Sequence, residues 1–136
     1  MSHKAPYHSV ALEQPRRLSP QERALLDRVL DDSAATPELR QQAERATVSE
    51  ICSCGCPSVT FAVPEDAPVA RLDQQHPDVR YCADLTIERF ATAPDGRCVQ
   101  VNLHILGGRL FELEIWAGWL GGDPSTELPD PSTLRV

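Results

Sequence analysis

Three cysteines at alternate positions, Cys52, Cys54 and Cys56, are the densest group of reactive side chains in the sequence. In extended backbone alternate side chains point the same way, so the three sulfurs of Cys52-Ser53-Cys54-Gly55-Cys56 can converge on one soft metal ion. Zinc is the cofactor such a set would hold, with a fourth ligand drawn from Cys82, Cys98, His76 or His104. The spacing is tighter than in zinc knuckles, which leave about two to four residues between paired ligands, and no second Cys-x-x-Cys or His-x-x-x-His pair closes the site. A redox role calls for a thiol at a helix N-terminus or in Cys-x-x-Cys, whereas this cluster precedes a strand. Small buried apolar side chains at a tight turn, with Gly55 and Pro57 setting the backbone, explain the same pattern and are the preferred reading at this level. No Gly-rich phosphate loop, Ser-His-Asp order or Gly-x-Ser-x-Gly elbow is present, so no catalytic residue is assigned.

The elements around the turn follow from local signals. Ser19-Pro20-Gln21-Glu22 combines a hydroxyl N-cap, a proline at the first helical position and a glutamate three residues after the cap. The spacing of Leu25, Leu26, Val29 and Leu30 predicts a helix from Pro20 to about Asp32. Thr36-Pro37-Glu38 repeats that start, and Leu39, Ala43 and Ala46 predict a second helix with a narrower apolar stripe. After the cysteines, Val59, Phe61 and Val63 alternate with Thr60 and Ala62, the period of a half-buried strand. Residues 64–79 form a long Pro- and Asp-containing loop, and strands are expected over Tyr81–Thr92, Arg97–Ile105 and Arg109–Trp116.

Pro94-Asp95-Gly96 suits a three-residue hairpin loop, and Leu106-Gly107-Gly108 can take the same form. That register sets Leu103 against Ile87 and Phe111, and Val101 against Leu113. The inner face then comprises Leu85, Ile87, Val99, Val101, Leu103, Ile105, Phe111, Leu113 and Ile115. Arg89 has inward parity, and a bulge at Glu88-Arg89 would turn Phe90 inward instead. The expected fold is α+β, with two N-terminal helices on one face of a mostly antiparallel β-meander of about four strands. Residues 1–17 read as a mobile arm, residues 18–122 as the single domain, and residues 123–136 as a Pro-rich extended tail that Trp119, Leu120, Leu128 and Leu134 would pin to the body.

The same register places Asp84, Glu88, Asn102, His104, Glu112, Glu114 and Trp116 on the face away from the helices, with Glu88, Asn102 and Glu112 in one cross-strand row. A solvated face explains these residues. A docking surface for a basic partner explains them too, with Trp116 as apolar anchor and the carboxylates steering the approach. Catalysis by His104 with Glu112 or Glu88 needs a cleft that only residues 64–79 folded over the face would supply.

Composition narrows the partners. The 20 acids outnumber the 13 bases for a net charge of −7, which repels phosphate backbones and excludes nucleic acid as the expected ligand. The 41% hydrophobic and 24% charged content is that of a globular domain. No apolar stretch approaches the roughly 18 residues of a spanning helix and no secretory signal is visible, so a cytoplasmic protein without membrane contact is expected. Five cysteines, an odd number, then read as reduced thiols or metal ligands. An unpaired edge strand or the outer face would support a homodimer, so monomer and dimer both stay open.

Glu22-Arg23-x-Leu25-Leu26-Asp27-x-Val29-Leu30, Leu39-Arg40-x-Gln42, Cys54-Gly55-Cys56-Pro57-Ser58-Val59 and Gly108-Arg109-Leu110-x-x-Leu113-Glu114-Ile115 together resemble a family of small uncharacterised proteins common in actinobacteria. The resemblance covers about residues 18–131. Members often carry Cys-Gly-Cys-Gly-Cys-Pro-Ser, where this chain has Ser53 at the first glycine. The family implies no activity. In layout the chain also resembles the immunity proteins that neutralise bacterial toxin domains, which implies a non-enzymatic, antitoxin-like binding role for the acidic face.

Overall fold

Helix formation begins where the capping residues place it. In the computed structural model, which describes residues 9–31, 36–71, 85–116 and 127–136, α1 spans Pro20–Asp31 and α2 spans Pro37–Arg45. Ser19 Oγ accepts the Glu22 N–H at 3.1 Å, and Glu22 Oε1 accepts the Ser19 N–H at 2.8 Å, the reciprocal bonding of a capping box. Thr36 caps α2 by accepting the Leu39 N–H, and the chain turns extended at Ala46. Leu25, Leu26, Val29, Leu30 and Leu39 are all buried, each contributing about 1.5–3 kcal/mol through removal of apolar surface from water. No helix among the described residues is long and apolar enough to cross a membrane.

The helices cover one face of a six-stranded antiparallel sheet, larger than the four-stranded meander expected. Its strands are β1 (Ser9–Arg17), β2 (Thr47–Cys52), β3 (Val59–Ala62), β4 (Leu85–Thr92), β5 (Cys98–Leu106) and β6 (Arg109–Trp116), arranged β1-β2-β3-β6-β5-β4. The α+β class stands. The two additional strands lie at one side: β1 pairs with β2, and β2 pairs with β3.

Residues 9–17 are therefore not an arm. They form an edge strand that shows mostly exposed side chains and tolerates Pro15, whose missing N–H costs nothing on the solvent side. An edge strand with no buried alternation leaves no periodic signal. The end of the tail is likewise part of the body: Pro131–Thr133 forms a short 3-10 turn, Leu134 is buried, and Arg135 exchanges two backbone hydrogen bonds of 2.8 Å with Phe90 on β4. Trp119 and Leu120 fall outside the described residues.

Between β4 and β5 the register is the expected one, with Ile87 opposite Leu103, and Gly96 at φ +89 closes the three-residue loop. The β5–β6 turn differs. Leu106 pairs with Arg109 across Gly107-Gly108, and the register shifts between His104 and Ile105, so that Leu103 faces Leu113 and Val101 faces Ile115. The extra residue is absorbed beside Phe111, which is exposed, while Leu110 is buried in its place. A bulge thus restores the apolar pairing that a plain two-residue turn would have broken. Strand β4 has no such shift, so Arg89 keeps its inward parity, half-buried, and its Nη1 donates to the Glu88 carbonyl at 2.7 Å. Leu85 is exposed rather than inner.

One polar side chain ties the layers together. Gln42 on α2 is fully buried; its Nε2 donates to the carbonyls of Pro68 (2.8 Å) and Gly108 (2.9 Å), and its Oε1 accepts the Leu110 N–H (2.9 Å). Arg109 donates to the carbonyls of Pro64 and Glu65, and the Ala70 N–H donates to Gly108. The described part of the 64–79 loop is therefore packed against the β5–β6 turn.

Candidate functional site

The cysteine turn is the hairpin connection between β2 and β3, closing from the Ile51–Val59 pair. Gly55 at φ +94 supplies the left-handed residue the loop needs. Cys52 ends β2 with its side chain buried, Cys54 is exposed and Cys56 is half-buried. The loop brings all three sulfurs within 4.8 Å of one another, and no histidine, carboxylate or further cysteine joins them among the described residues. Cys52 Sγ and Cys54 Sγ lie 3.0 Å apart, the Cys56 N–H donates to Cys54 Sγ at 3.4 Å, and the Cys56 thiol donates to Ser58 Oγ at 3.3 Å. Ser58 is itself buried and anchored on β6, accepting the Ile115 N–H at 2.9 Å. Burial, followed by the hydrogen bond with Cys54, pushes the Cys52 thiol up to about 12.

Beside the sulfurs opens a cleft of about 530 Å³. One wall is Ile51, Cys52 and residues 55–59; the other is Arg16, Ser19, Gln21 and Glu22 at the start of α1, with Glu127 and Leu128 from the C-terminal segment. Arg16 grips Glu22 with two bonds of 2.9 Å. Burial pushes the Glu22 carboxyl up, but the Arg16 guanidinium and the Ser19 donors outweigh it and hold the group below its ordinary range. Glu22 is thus committed to the fold. The cleft is assembled from three distant stretches of sequence. Of its residues, only the Ser19–Glu22 cap and the cysteines carry a local signal. Arg16 is hidden in a strand without periodicity, and Glu127 in a Pro-rich stretch.

Of the other ligands considered, Cys98 lies away from the cluster and accepts from Arg135 Nη2 at 3.4 Å. His104 is engaged on the outer face, while Cys82 and His76 fall outside the described residues. The outer face is built as a register of rows. Glu88, Asn102 and Glu114 share one row, whereas Glu112 pairs with His104, one step from the arrangement expected, because of the bulge at Phe111 near the start of β6. His104 Nδ1 meets Thr86 Oγ1 at 2.9 Å, His104 Nε2 meets Glu114 Oε1 at 2.9 Å, and Asn102 Nδ2 donates to the same oxygen at 3.2 Å. The Glu114 carboxylate is largely enclosed by these contacts, with 14% of its side chain exposed. Asn102 is buried, and its Oδ1 has no hydrogen-bond partner among the described residues. Glu88 is exposed, Glu112 and Trp116 are half-buried, and Asp84 lies outside the described residues.

The described part of the 64–79 loop packs at the β5–β6 turn, so it does not roof this face to make a catalytic cleft with His104. Comparison of the chain with protein-family models, with curated proteins and with solved structures finds no match.

Proposed function

We propose that this domain binds a soft metal ion through the thiolates of Cys52, Cys54 and Cys56. The observation that carries the reading is the placement of three sulfurs within 4.8 Å of one another, with Cys52 and Cys56 lining a cleft. Sulfurs bonded to one tetrahedral zinc at about 2.3 Å sit about 3.8 Å apart, a spacing this loop reaches by opening the Cys52–Cys54 pair slightly. All-sulfur donors select thiophilic ions such as zinc and monovalent copper. Cys54 and Cys56 stand on a glycine-containing hairpin loop beside the buried Cys52, so their side chains can rotate at little cost in packing. Elemental analysis of protein purified without chelator, with readdition of zinc or reduced copper under anaerobic conditions, tests the reading. About one metal per chain is expected, lost in Cys54→Ser and Cys56→Ser; a folded protein that takes up neither ion removes it.

A second reading, a non-enzymatic immunity-like protein that captures a basic partner on its outer face, is favoured by one observation. Glu88 is exposed and Glu112 half-buried beside the Asn102–Glu114 pair, so the middle of that face offers carboxylates to an arginine or lysine side chain. Glu88, Glu112 and Trp116 would frame the contact, and the net charge of −7 would speed the encounter. The Glu88→Lys/Glu112→Lys double variant should lose capture of the cognate partner while keeping its fold. Undiminished capture would eliminate the face.

A further inference from the structure

Beyond ion binding, and independent of it, we infer that Cys52 and Cys54 are a dithiol that a small-molecule disulfide converts reversibly into a disulfide within the turn. The juxtaposition that carries this is the 3.0 Å between Cys52 Sγ and Cys54 Sγ. Sulfurs sharing one zinc ion stand about 3.8 Å apart, and a disulfide bond is about 2.05 Å long. The pair is thus already closer than an ion requires, and about 1 Å of side-chain movement closes it. Local backbone makes the contact. The Gly55 N–H donates to the Cys52 carbonyl at 3.4 Å, a turn that folds Cys54 back over the end of β2, and Gly55 follows at a left-handed φ of +94. Sulfur contact is what a Cys-x-x-Cys motif supplies elsewhere, and here the turn supplies it at Cys-x-Cys spacing.

Exposure sets the order of events: Cys54 is exposed and meets the oxidant, and Cys52 is buried and follows. The Cys54 thiolate attacks one sulfur of the small disulfide, the bond between that molecule's sulfurs breaks, and the departing thiolate takes up the proton that Cys54 released. Cys52 Sγ then attacks Cys54 Sγ, and the second small thiol leaves with the Cys52 proton. Two protein thiols are oxidised, and one small disulfide is reduced to two thiols. Cys56 is held out of the pair. Its thiol donates to Ser58 Oγ at 3.3 Å, and Ser58 is anchored on β6 by the Ile115 N–H at 2.9 Å. A disulfide that closes so short a loop at an exposed turn belongs to the labile class that thiols readily reduce. Because it consumes two of the three thiolates proposed as ligands, oxidation and ion binding exclude one another.

The test treats the full chain, metal-free and carrying Cys82→Ser and Cys98→Ser so that the turn cysteines alone remain, with oxidised glutathione, and reads intact mass and thiol alkylation. Expected is the loss of two hydrogens, with one alkylatable thiol left, and full reversal by excess reduced glutathione. Adding Cys56→Ser should preserve the disulfide and leave no alkylatable thiol, whereas adding Cys52→Ser should accumulate the glutathione adduct instead. Circular dichroism establishes that each variant is folded. Absence of the disulfide in the folded parent chain overturns the inference and leaves the ion-binding reading untouched, since metal uptake is measured separately. A disulfide kept in Cys52→Ser and lost in Cys56→Ser overturns the assignment of the pair.

Discussion

Replacing Gln42 by methionine keeps the volume of the side chain and removes three hydrogen bonds at once, which makes it the sharpest test of how the layers are joined. The consequences differ at each partner. The Leu110 N–H is buried and loses the Gln42 Oε1 acceptor, at a cost of about 1–3 kcal/mol for an unsatisfied donor. The Gly108 carbonyl retains the Ala70 N–H at 3.0 Å, and the Pro68 carbonyl is part of an only partly buried bond, so each loses about 0.5–1.5 kcal/mol. Relief of burying an amide offsets part of this, leaving a net loss of about 2–4 kcal/mol for Gln42→Met. Gln42→Ala adds a cavity among Leu39, Ala43 and the β5–β6 turn, and should cost about 1–2 kcal/mol more. Urea unfolding with a common m value measures both, with Gln41→Met on the exposed side of α2 as a control expected within about 0.5 kcal/mol of wild type. If Gln42→Met lies within that same band, the buried amide is not what locks α2, the 64–71 segment and the hairpin together, and the reasoning fails.

Other outcomes follow from single contacts. Glu22 has a lowered pKa in the folded state, so its contribution is present above the ordinary carboxyl range and is lost as pH falls through the lowered value; Glu22→Gln should cost about 1–2 kcal/mol at neutral pH, with its stability curve converging on wild type in acid. Gly108→Ala should cost about 2–4 kcal/mol, because φ is +74 and a Cβ would drive into the Ala70 carbonyl, whereas Gly107→Ala, at φ +60 with open space around it, should cost about 1–2 kcal/mol; thermal unfolding ranks the two, and equal losses would refute the steric argument. In metal-free folded protein a thiol-alkylating reagent should label Cys54 well before Cys52, which is buried and pushed up to about 12, and the difference should vanish in denaturant; equal labelling of the folded chain would refute the placement of the turn.

The parts of the fold legible in the sequence are those where two signals agreed. Ser19 and Glu22 announce α1 because cap chemistry and apolar spacing coincide, and β4 and β5 are legible because a three-residue Pro94-Asp95-Gly96 loop and alternating side chains demand one register. Between β5 and β6 those signals conflict: Gly107-Gly108 favours a tight turn and the apolar residues favour the neighbouring register. A bulge resolves the conflict, and nothing in the residues around Phe111 marks it in advance. The ends were hidden for another reason. Strand β1 carries Pro15, Arg16 and Arg17 and buries little, so backbone pairing with β2, the Arg16–Glu22 pair and the contact of Leu12 with the core recruit it, and these leave no alternating side-chain pattern. Gln42 reads as polar and exposed until its three backbone partners, 26 to 68 residues away, are in place.

The same distinction bears on which surface works. The outer face spends its chemistry internally: Glu114 is shared by His104 and Asn102, and His104 holds Thr86, so removing these groups would first unsettle the sheet. Cys54 is exposed and Cys56 half-buried, yet the loop holds their sulfurs beside Cys52. The cleft next to them exists only because β1 brings Arg16 to Glu22 and the C-terminal segment brings Glu127 and Leu128 to the same rim. An ion held by the hairpin would stabilise the strand pair β2–β3 to the extent that the folded loop binds it more tightly than the unfolded chain does. Stability that rises with added ion, and fails to rise in Cys54→Ser, is the link between this fold and its proposed work.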